Sequence, residues 1–317
     1  MNSRRSMLII VNKTAGRGRA LRTAELVSRR WQSCDRTVEV AQTTAAGDAE
    51  RFAREAVAAK PGRFDCVVAC GGDGTVQEVA QALAELRTTL GDSCPVLGLA
   101  PAGRCNDFAR ALNVPTDADR IADILLTETA RAIDLGRVNG RYFCTVVTTG
   151  IDAEISRYVD QASMWLSGTP AYLLGAMRVL KRYRPQRVRL QGDFGCIEQP
   201  VFLASAANTS SYGGAVPIAP HARPDDGVLD LCIIEGMTRL QALMLIPTIL
   251  RGRHVGNARV RFVRTKGFTI DATEPCELWA DGQYMTQTPA TVEVAPAAVR
   301  VPCPARSDTP TDLSRRR

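Results

Sequence analysis

The 317 residues carry 40 Lys or Arg against 33 Asp or Glu, a formal net charge of +7, with 45% hydrophobic and 23% charged residues. This composition excludes a disordered chain and supplies apolar volume for two ordinary domains, while the positive balance favours an anionic partner: nucleotide, nucleic acid or anionic lipid surface. Ten cysteines occur without a CxxC pair and His221 and His254 stand far apart, which argues against zinc; cysteines inside apolar runs read as reduced core residues. The run Met7–Val11 is too short for a signal-peptide core, and no stretch is long and apolar enough for a membrane span.

The first 113 residues alternate strand and helix signals. Met7–Val11 is a continuous apolar run, suited to a strand buried on both faces. Leu21–Trp31 has helical spacing, Val38–Thr44 reads as a strand, and Ala46–Ala59 as an Ala-rich helix. Phe64–Ala69 predicts a buried strand, Thr75–Leu86 a helix, Val96–Ala100 a strand, and Asn106–Leu112 a short helix ended before Pro115. Such βαβ units imply a parallel sheet over residues 1–130. After residue 130 the strand signals come closer together: Ala132–Val138, Arg141–Thr148, Arg187–Gln191, Val201–Ala207, Val228–Ile234, Phe268–Asp271 and Cys276–Ala280. Residues 131–289 are therefore expected to form an antiparallel, β-rich second domain, interrupted by helices over Ser163–Tyr183 and Arg239–Leu250. The polar, Pro-containing stretch 302–317 is expected to be a disordered tail.

Three loops follow the strands expected to be parallel in the first half: Asn12–Gly18 (NKTAGRG), Gly71–Thr75 (GGDGT) and Pro101–Asp107 (PAGRCND). Each leads into a helix start, where unpaired N–H groups and the helix dipole favour an anion. Glycine there lets a phosphate approach the backbone, although glycine also serves a plain strand–helix turn. Neither GxxxxGK[ST] nor a GxGxxG in dinucleotide-binding context is present. Asp73 and Asp107 each read either as helix-start residues or as carboxylates facing bound phosphate across a Mg²⁺ ion.

Together, NKTAG at 12–16, GGDGTVQEV at 71–79, PAGRCNDFARAL at 101–112, PHARPDDGVLDL at 220–231 and ADGQ at 280–283 resemble the diacylglycerol kinase catalytic-domain family, specifically soluble bacterial lipid kinases related to sphingosine and ceramide kinases. The resemblance implies a phosphofructokinase- or NAD-kinase-like α/β domain, a β-sandwich domain and a cleft between them, with 290–301 returning to the first domain. It implies ATP contacts from Asn12, Lys13, Thr14, Ala15, Gly16, Thr43, Gly72, Asp73, Gly74, Thr75, Val76, Gln77 and Glu78, with Asn106 beside them. Mg²⁺ would be organised by Asp73 and Asp107, and a structural Mg²⁺ by the Asp226 carboxylate and the carbonyls of Arg223 and Val228.

Two positions depart from the family pattern. Gln283 stands where relatives carry Glu; the expected catalytic residues are Asp281, Asp73 and Gln283, with Asp281 the expected proton acceptor beside the γ-phosphate. Arg104 replaces a threonine, and it either supplies a guanidinium to phosphate or points to solvent. The leading expectation is an ATP- and Mg²⁺-dependent lipid kinase acting on diacylglycerol, ceramide or a sphingoid base. The alternatives are a non-catalytic nucleotide- or lipid-binding regulatory protein and a soluble-substrate kinase of the NAD kinase type. Nucleic acid is not an expected partner, since aromatics make up 5% and no recognition motif occurs.

The resemblance implies a cytoplasmic protein, peripherally associated with an anionic membrane surface, with a homodimer left open. Residues 164–184 set Trp165, Leu166, Tyr172, Leu173 and Leu174 beside Arg178, Lys181, Arg182 and Arg184, a pattern suited to the headgroup boundary. Leu240–His254, broken at Pro247 and ending in basic residues, is expected to be a core helix with a solvated basic end.

Overall fold

The computed structural model describes residues 6–161 and 169–305. The chain runs β1 (Ser6–Asn12), α1 (Arg19–Gln32), β2 (Thr37–Thr43), α2 (Asp48–Ala59), β3 (Cys66–Gly71), α3 (Asp73–Leu90), β4 (Val96–Pro101), α4 (Asp107–Ala111) and α5 (Ala118–Thr127). These strands form a parallel sheet of order β2-β1-β3-β4. β1 and β3 are buried throughout their apolar centres because α2 and α3 cover one face and α1 and α5 the other. Helix α5, which the sequence reading passed over, is capped by Asp117, whose side chain accepts from the Arg120 N–H at 3.0 Å.

The second half runs β5 (Ala130–Val138), β6 (Arg141–Phe143), β7 (Val146–Gly150), α6 (Ile151–Gln161), α7 (Thr169–Leu180), β8 (Gln186–Gly192), β9 (Gly195–Ala207) and β10 (Leu229–Glu235). It continues with α8 (Arg239–Leu250), β11 (Val260–Thr265), β12 (Gly267–Ala272), β13 (Glu277–Ala280), β14 (Gln283–Gln287) and β15 (Ala290–Pro302). The antiparallel sheet has the order β14-β13-β7-β9-β8-β12-β15-β5-β6, with β10 on β9 and β11 on β10. Its ends approach one another, for Arg141 donates to the carbonyls of Tyr284 and Met285 at 3.1 and 3.3 Å.

Several expectations are corrected. The single strand expected over Arg141–Thr148 is divided into β6 and β7, because Cys144 and Thr145 turn their N–H groups to the Asp281 carboxylate. Helix α8 is not broken at Pro247 and runs on to Leu250. Nor is it a core helix, since Leu240, Leu243, Met244 and Leu250 are exposed. The stretch from 302 does not start as a tail: β15 reaches Pro302 and Cys303 is buried, while 306–317 lie outside the described residues. Trp165 and Leu166, and the side chains of Tyr172, Leu173 and Leu174, also lie outside what the structure describes.

Strand β15 joins both halves. Val292 and Val294 pack in the core of the antiparallel domain, whereas Val299, Val301 and Cys303 pack with α3 and β4 in the core of the first. An irregularity between Ala295 and Val299 lets one strand serve both.

Candidate functional site

β1, β3 and β4 lie next to one another in the parallel sheet, so the three glycine loops emerge side by side at its carboxyl edge. They are fastened together. The Ala102 and Gly103 N–H groups donate to the Gly71 carbonyl at 2.8 and 3.1 Å. Arg19 donates to the carbonyls of Ala102 and Gly103 at 2.9 and 2.6 Å, and Asn106 grips Gly103 through both its N–H and C=O at 2.9 and 3.1 Å. Asn12 reaches across to Thr75 Oγ1 at 3.4 Å.

This packing changes the explanation of two glycines. A Cβ on Gly16, at φ +61°, would lie 2.3 Å from the Ala102 carbonyl oxygen, and one on Gly103 would lie 2.5 Å from the Gly72 Cα. These positions are glycine because the loops touch there. Gly72 and Gly74 retain the reading by which phosphate meets bare backbone. Gly72 begins α3 with no side-chain cap, which leaves the first-turn N–H groups for an anion. The exposed Lys13 and Arg104 side chains stand on the same loops.

The remaining residues of the expected nucleotide set divide. Asn12, Thr14 and Ala15 belong to the fastened loop, where Thr14 donates to the Asn12 side-chain oxygen from its N–H at 3.1 Å and its hydroxyl at 2.8 Å. Thr43 closes β2 and is buried. The turn of α3 carries Val76, Gln77 and Glu78 off the loop surface. Val76 is in the core, Gln77 donates to the Tyr142 carbonyl at 2.9 Å, and Glu78 accepts from Gly47 and Ala49 N–H at 2.9 and 3.0 Å, closing the start of α2.

At the seam between the two halves lies a cavity of about 300 Å³, lined by Asp73, Asp107, Thr145, Val146, Thr148, Asp152, Tyr212, Trp279 and Asp281. Three of its carboxylates were expected from the sequence, and they differ in how fully they are bonded. Asp107 accepts from Gly214 and Ala215 N–H at 2.9 and 3.1 Å and pairs with Arg110. Asp281, at φ +51°, accepts from the N–H groups of Cys144 and Thr145 at 2.6 and 2.9 Å and from the Thr145 hydroxyl. Burial raises the Asp281 carboxyl, and these three hydrogen bonds oppose the rise. Asp73 is held more loosely, accepting from the Phe108 N–H at 3.5 Å and from the Asp107 N–H. Burial pushes its carboxyl up to about 6, with the charges of Asp107 and Asp281 adding to the effect.

Such a set fits a hard divalent cation, which would relieve this crowding of negative charge. Among the described residues no three acidic, His or Cys side chains close on a single point. An ion here would therefore complete its oxygen shell with water and phosphate.

The sequence reading missed Asp152, in the first turn of α6. It is buried, accepts hydrogen bonds from Tyr212 and Thr148, and is pushed up to about 6 by burial. Ser205 extends this chain by donating to Thr148 at 3.2 Å. The available signal was the TTGID junction, an acidic residue just past a strand-ending glycine. Gln283 lies outside the cavity lining, its amide nitrogen 3.4 Å from where a Cβ on Gly74 would sit. In the 220–231 stretch, Asp226 pairs with Arg264 and accepts from its own loop at the Val228 N–H, 3.4 Å away. That loop is held by Asp134, which accepts from Gly227 and Ala297 N–H at 2.7 Å each. Arg223 pairs with Asp225.

A parallel α/β layer that offers three glycine loops to a carboxylate-lined cavity, roofed by an antiparallel domain, has the architecture of a two-domain kinase. Comparison with known proteins makes that particular. Residues 6–138 match the family model of the diacylglycerol kinase catalytic domain, and residues 145–303 match the YegS C-terminal NAD kinase beta sandwich-like domain. A diacylglycerol kinase of Bacillus subtilis (strain 168) is 32% identical over 277 residues, covering 87% of this chain and 89% of its own length. One of Mycobacterium tuberculosis (strain H37Rv) is 34% identical over 300 residues, covering 92% and 93%. A solved structure described as a diacylglycerol kinase, from Bacillus anthracis strain Sterne, covers 96% of this chain and 98% of its own at 21% identity with a TM-score of 0.71, a likeness of fold. The chain belongs to the diacylglycerol kinase catalytic-domain family, a family of lipid kinases, as its five motifs led one to expect.

Proposed function

We propose that this protein transfers the γ-phosphoryl group of ATP to the free hydroxyl of diacylglycerol in a Mg²⁺-dependent reaction. The observation that carries the reading is the cavity at the domain seam, where carboxylates from three loops meet an apolar wall directly beside the uncapped start of α3. The nucleotide phosphates lie on the Gly72–Gly74 backbone, with Lys13 and Arg104 offsetting their charge. Asp73 and Asp107 would hold Mg²⁺, which when bound neutralises charge on the transferring phosphoryl group. The acceptor hydroxyl enters past Val146 and Trp279. Its oxygen bonds to the γ-phosphorus as the bond to the bridging β–γ oxygen breaks, ADP departs, and the hydroxyl proton passes to Asp281.

Asp281 suits this role because three hydrogen bonds fix its orientation while its carboxylate still faces the cavity. The choice of diacylglycerol over ceramide or a sphingoid base is supported by the names of the relatives. Incubating the protein with labelled ATP, Mg²⁺ and vesicles containing each lipid in turn tests the reading. Wild type labels diacylglycerol, and Asp281→Asn lowers the rate by about 10²–10⁴-fold. Absence of labelled lipid from wild type in every preparation would overturn the reading in favour of a non-catalytic regulatory protein.

A further inference from the structure

We propose that the outer face of α8 and the basic segment following it form a docking surface for an anionic membrane, an inference that rests on the lipid-kinase reading for its biological setting. Residues 236–270 contain seven Arg or Lys and no Asp or Glu, which equals the net charge of +7 on the entire chain. On α8 itself Ala242 and Leu245 are buried against the core beneath, while Leu240, Leu243, Met244 and Leu250 are 67%, 50%, 61% and 56% exposed. With Pro247, also exposed, they fall at spacings of three and four residues and make one apolar stripe along the helix. The helix is preformed, for Thr238 and Gln241 close a capping box at its start.

Cations flank the stripe at both ends. Arg239 precedes it, and Arg251 and Arg253 follow, with Arg259 and Arg261 beyond. Among the described residues Arg239, Arg253, Arg259 and Arg261 take part in no ion pair. Aliphatic side chains able to enter the acyl boundary, bordered by unneutralised guanidinium groups at headgroup level, are what an anionic bilayer surface accommodates. A second copy of this chain is disfavoured as the occupant, because a two-fold contact through this face would oppose two cationic segments. A nucleic acid would leave the apolar stripe without a partner.

The surface is mechanically continuous with the acceptor cavity. Just past α8, the Gly252 Cα hydrogens face Pro217 and Pro220, and the His254 ring meets the Ile218 carbonyl at 2.9 Å. These contacts seat α8 on the loop that contributes Tyr212 to the cavity and the Gly214 and Ala215 N–H groups to Asp107. A bilayer held at α8 therefore lies against the structural unit that shapes the acceptor site.

The test measures co-sedimentation of the full chain with vesicles of phosphatidylcholine alone and of phosphatidylcholine mixed with phosphatidylglycerol. It also measures phosphorylation of a short-chain, water-soluble diacylglycerol. Wild type is expected to bind the mixed vesicles, with salt weakening the binding. Leu243→Glu combined with Met244→Glu is expected to lower partitioning at least about tenfold, and Arg251→Glu with Arg253→Glu to remove the anionic preference. Both double variants should phosphorylate the soluble acceptor at the wild-type rate within about twofold, since these side chains lie outside the cavity. Wild-type binding that ignores lipid charge would overturn the proposal, as would variants that sediment like wild type. A wild-type dimer in solution that Leu243→Glu with Met244→Glu dissociates would also overturn it, assigning the face to a second copy. If the vesicle results hold and no lipid is phosphorylated, the docking surface stands and the kinase reading falls.

Discussion

Gln283 and Asp281 are two residues apart on a tight turn, yet only Asp281 lines the cavity. An amide at 283 therefore leaves the cavity's own carboxylates in place. Gln283→Glu is expected to change the rate of transfer to diacylglycerol less than about tenfold, read from initial rates at saturating ATP. A rise from near zero would instead mark the wild-type site as degenerate. Asp152 offers a separate test through stability. Its carboxyl moves from 3.8 to about 6 on folding, so between those values the folded protein holds a proton that the unfolded chain has released. Stability then falls as pH rises through this window, by up to about 3 kcal/mol. Asp152→Asn removes that loss, and melting temperatures measured at pH values below, within and above the window should show a flatter profile.

At the scale of elements, the site depends on how closely three loops pack. Gly16→Ala combines left-handed backbone with a Cβ driven into the Ala102 carbonyl, whereas Gly62, at φ +77°, has open space around its Cβ position. Gly62→Ala is expected to cost about 1–2 kcal/mol from backbone conformation alone. Gly16→Ala should cost more and weaken ATP binding as well, as denaturant unfolding and nucleotide titration would show. These loops were legible in sequence because glycine interrupts an apolar strand just before a helical pattern. The strands β1, β3 and β4 were equally plain, since parallel strands covered on both faces read as unbroken apolar runs. Other elements carried no such contrast. β14 (QYMTQ) is polar and owes its strand to pairing with β13 across the Asp281–Gly282 turn. α6 follows β7 with only Gly150 between strand and helix patterns. α8 is apolar on every side, so its sequence could not tell which face the core would claim. Tyr212 joins Asp152 only through tertiary packing, across a separation that no local spacing encodes.

For the whole molecule, β15 couples two domains that the sequence pattern separates. Its first half belongs to the antiparallel core and its last residues to the core of the parallel domain. Arg87 of α3 donates to the Ala297 carbonyl at 3.1 Å, and Arg300 donates to the carbonyls of Asp92 and Cys94 at 2.7 and 3.0 Å. The two domains should therefore melt together in a single calorimetric transition. Val301→Ala, which leaves a void in the first core, should lower that one transition by about 1–3 kcal/mol without splitting it. Two resolved transitions in wild type would show that β15 does not couple the halves.

The shared strand also sets a timetable for biosynthesis. Arg87 and Ala297 are 210 residues apart, so at ordinary translation speeds α3 leaves the ribosome roughly 10–40 s before the strand that covers it is made. Throughout that interval the nascent parallel domain presents an unfilled apolar groove along α3 and β4. Chains interrupted before residue 299 keep the groove open permanently, and quality-control machinery that recognises exposed apolar surface can distinguish them from finished molecules.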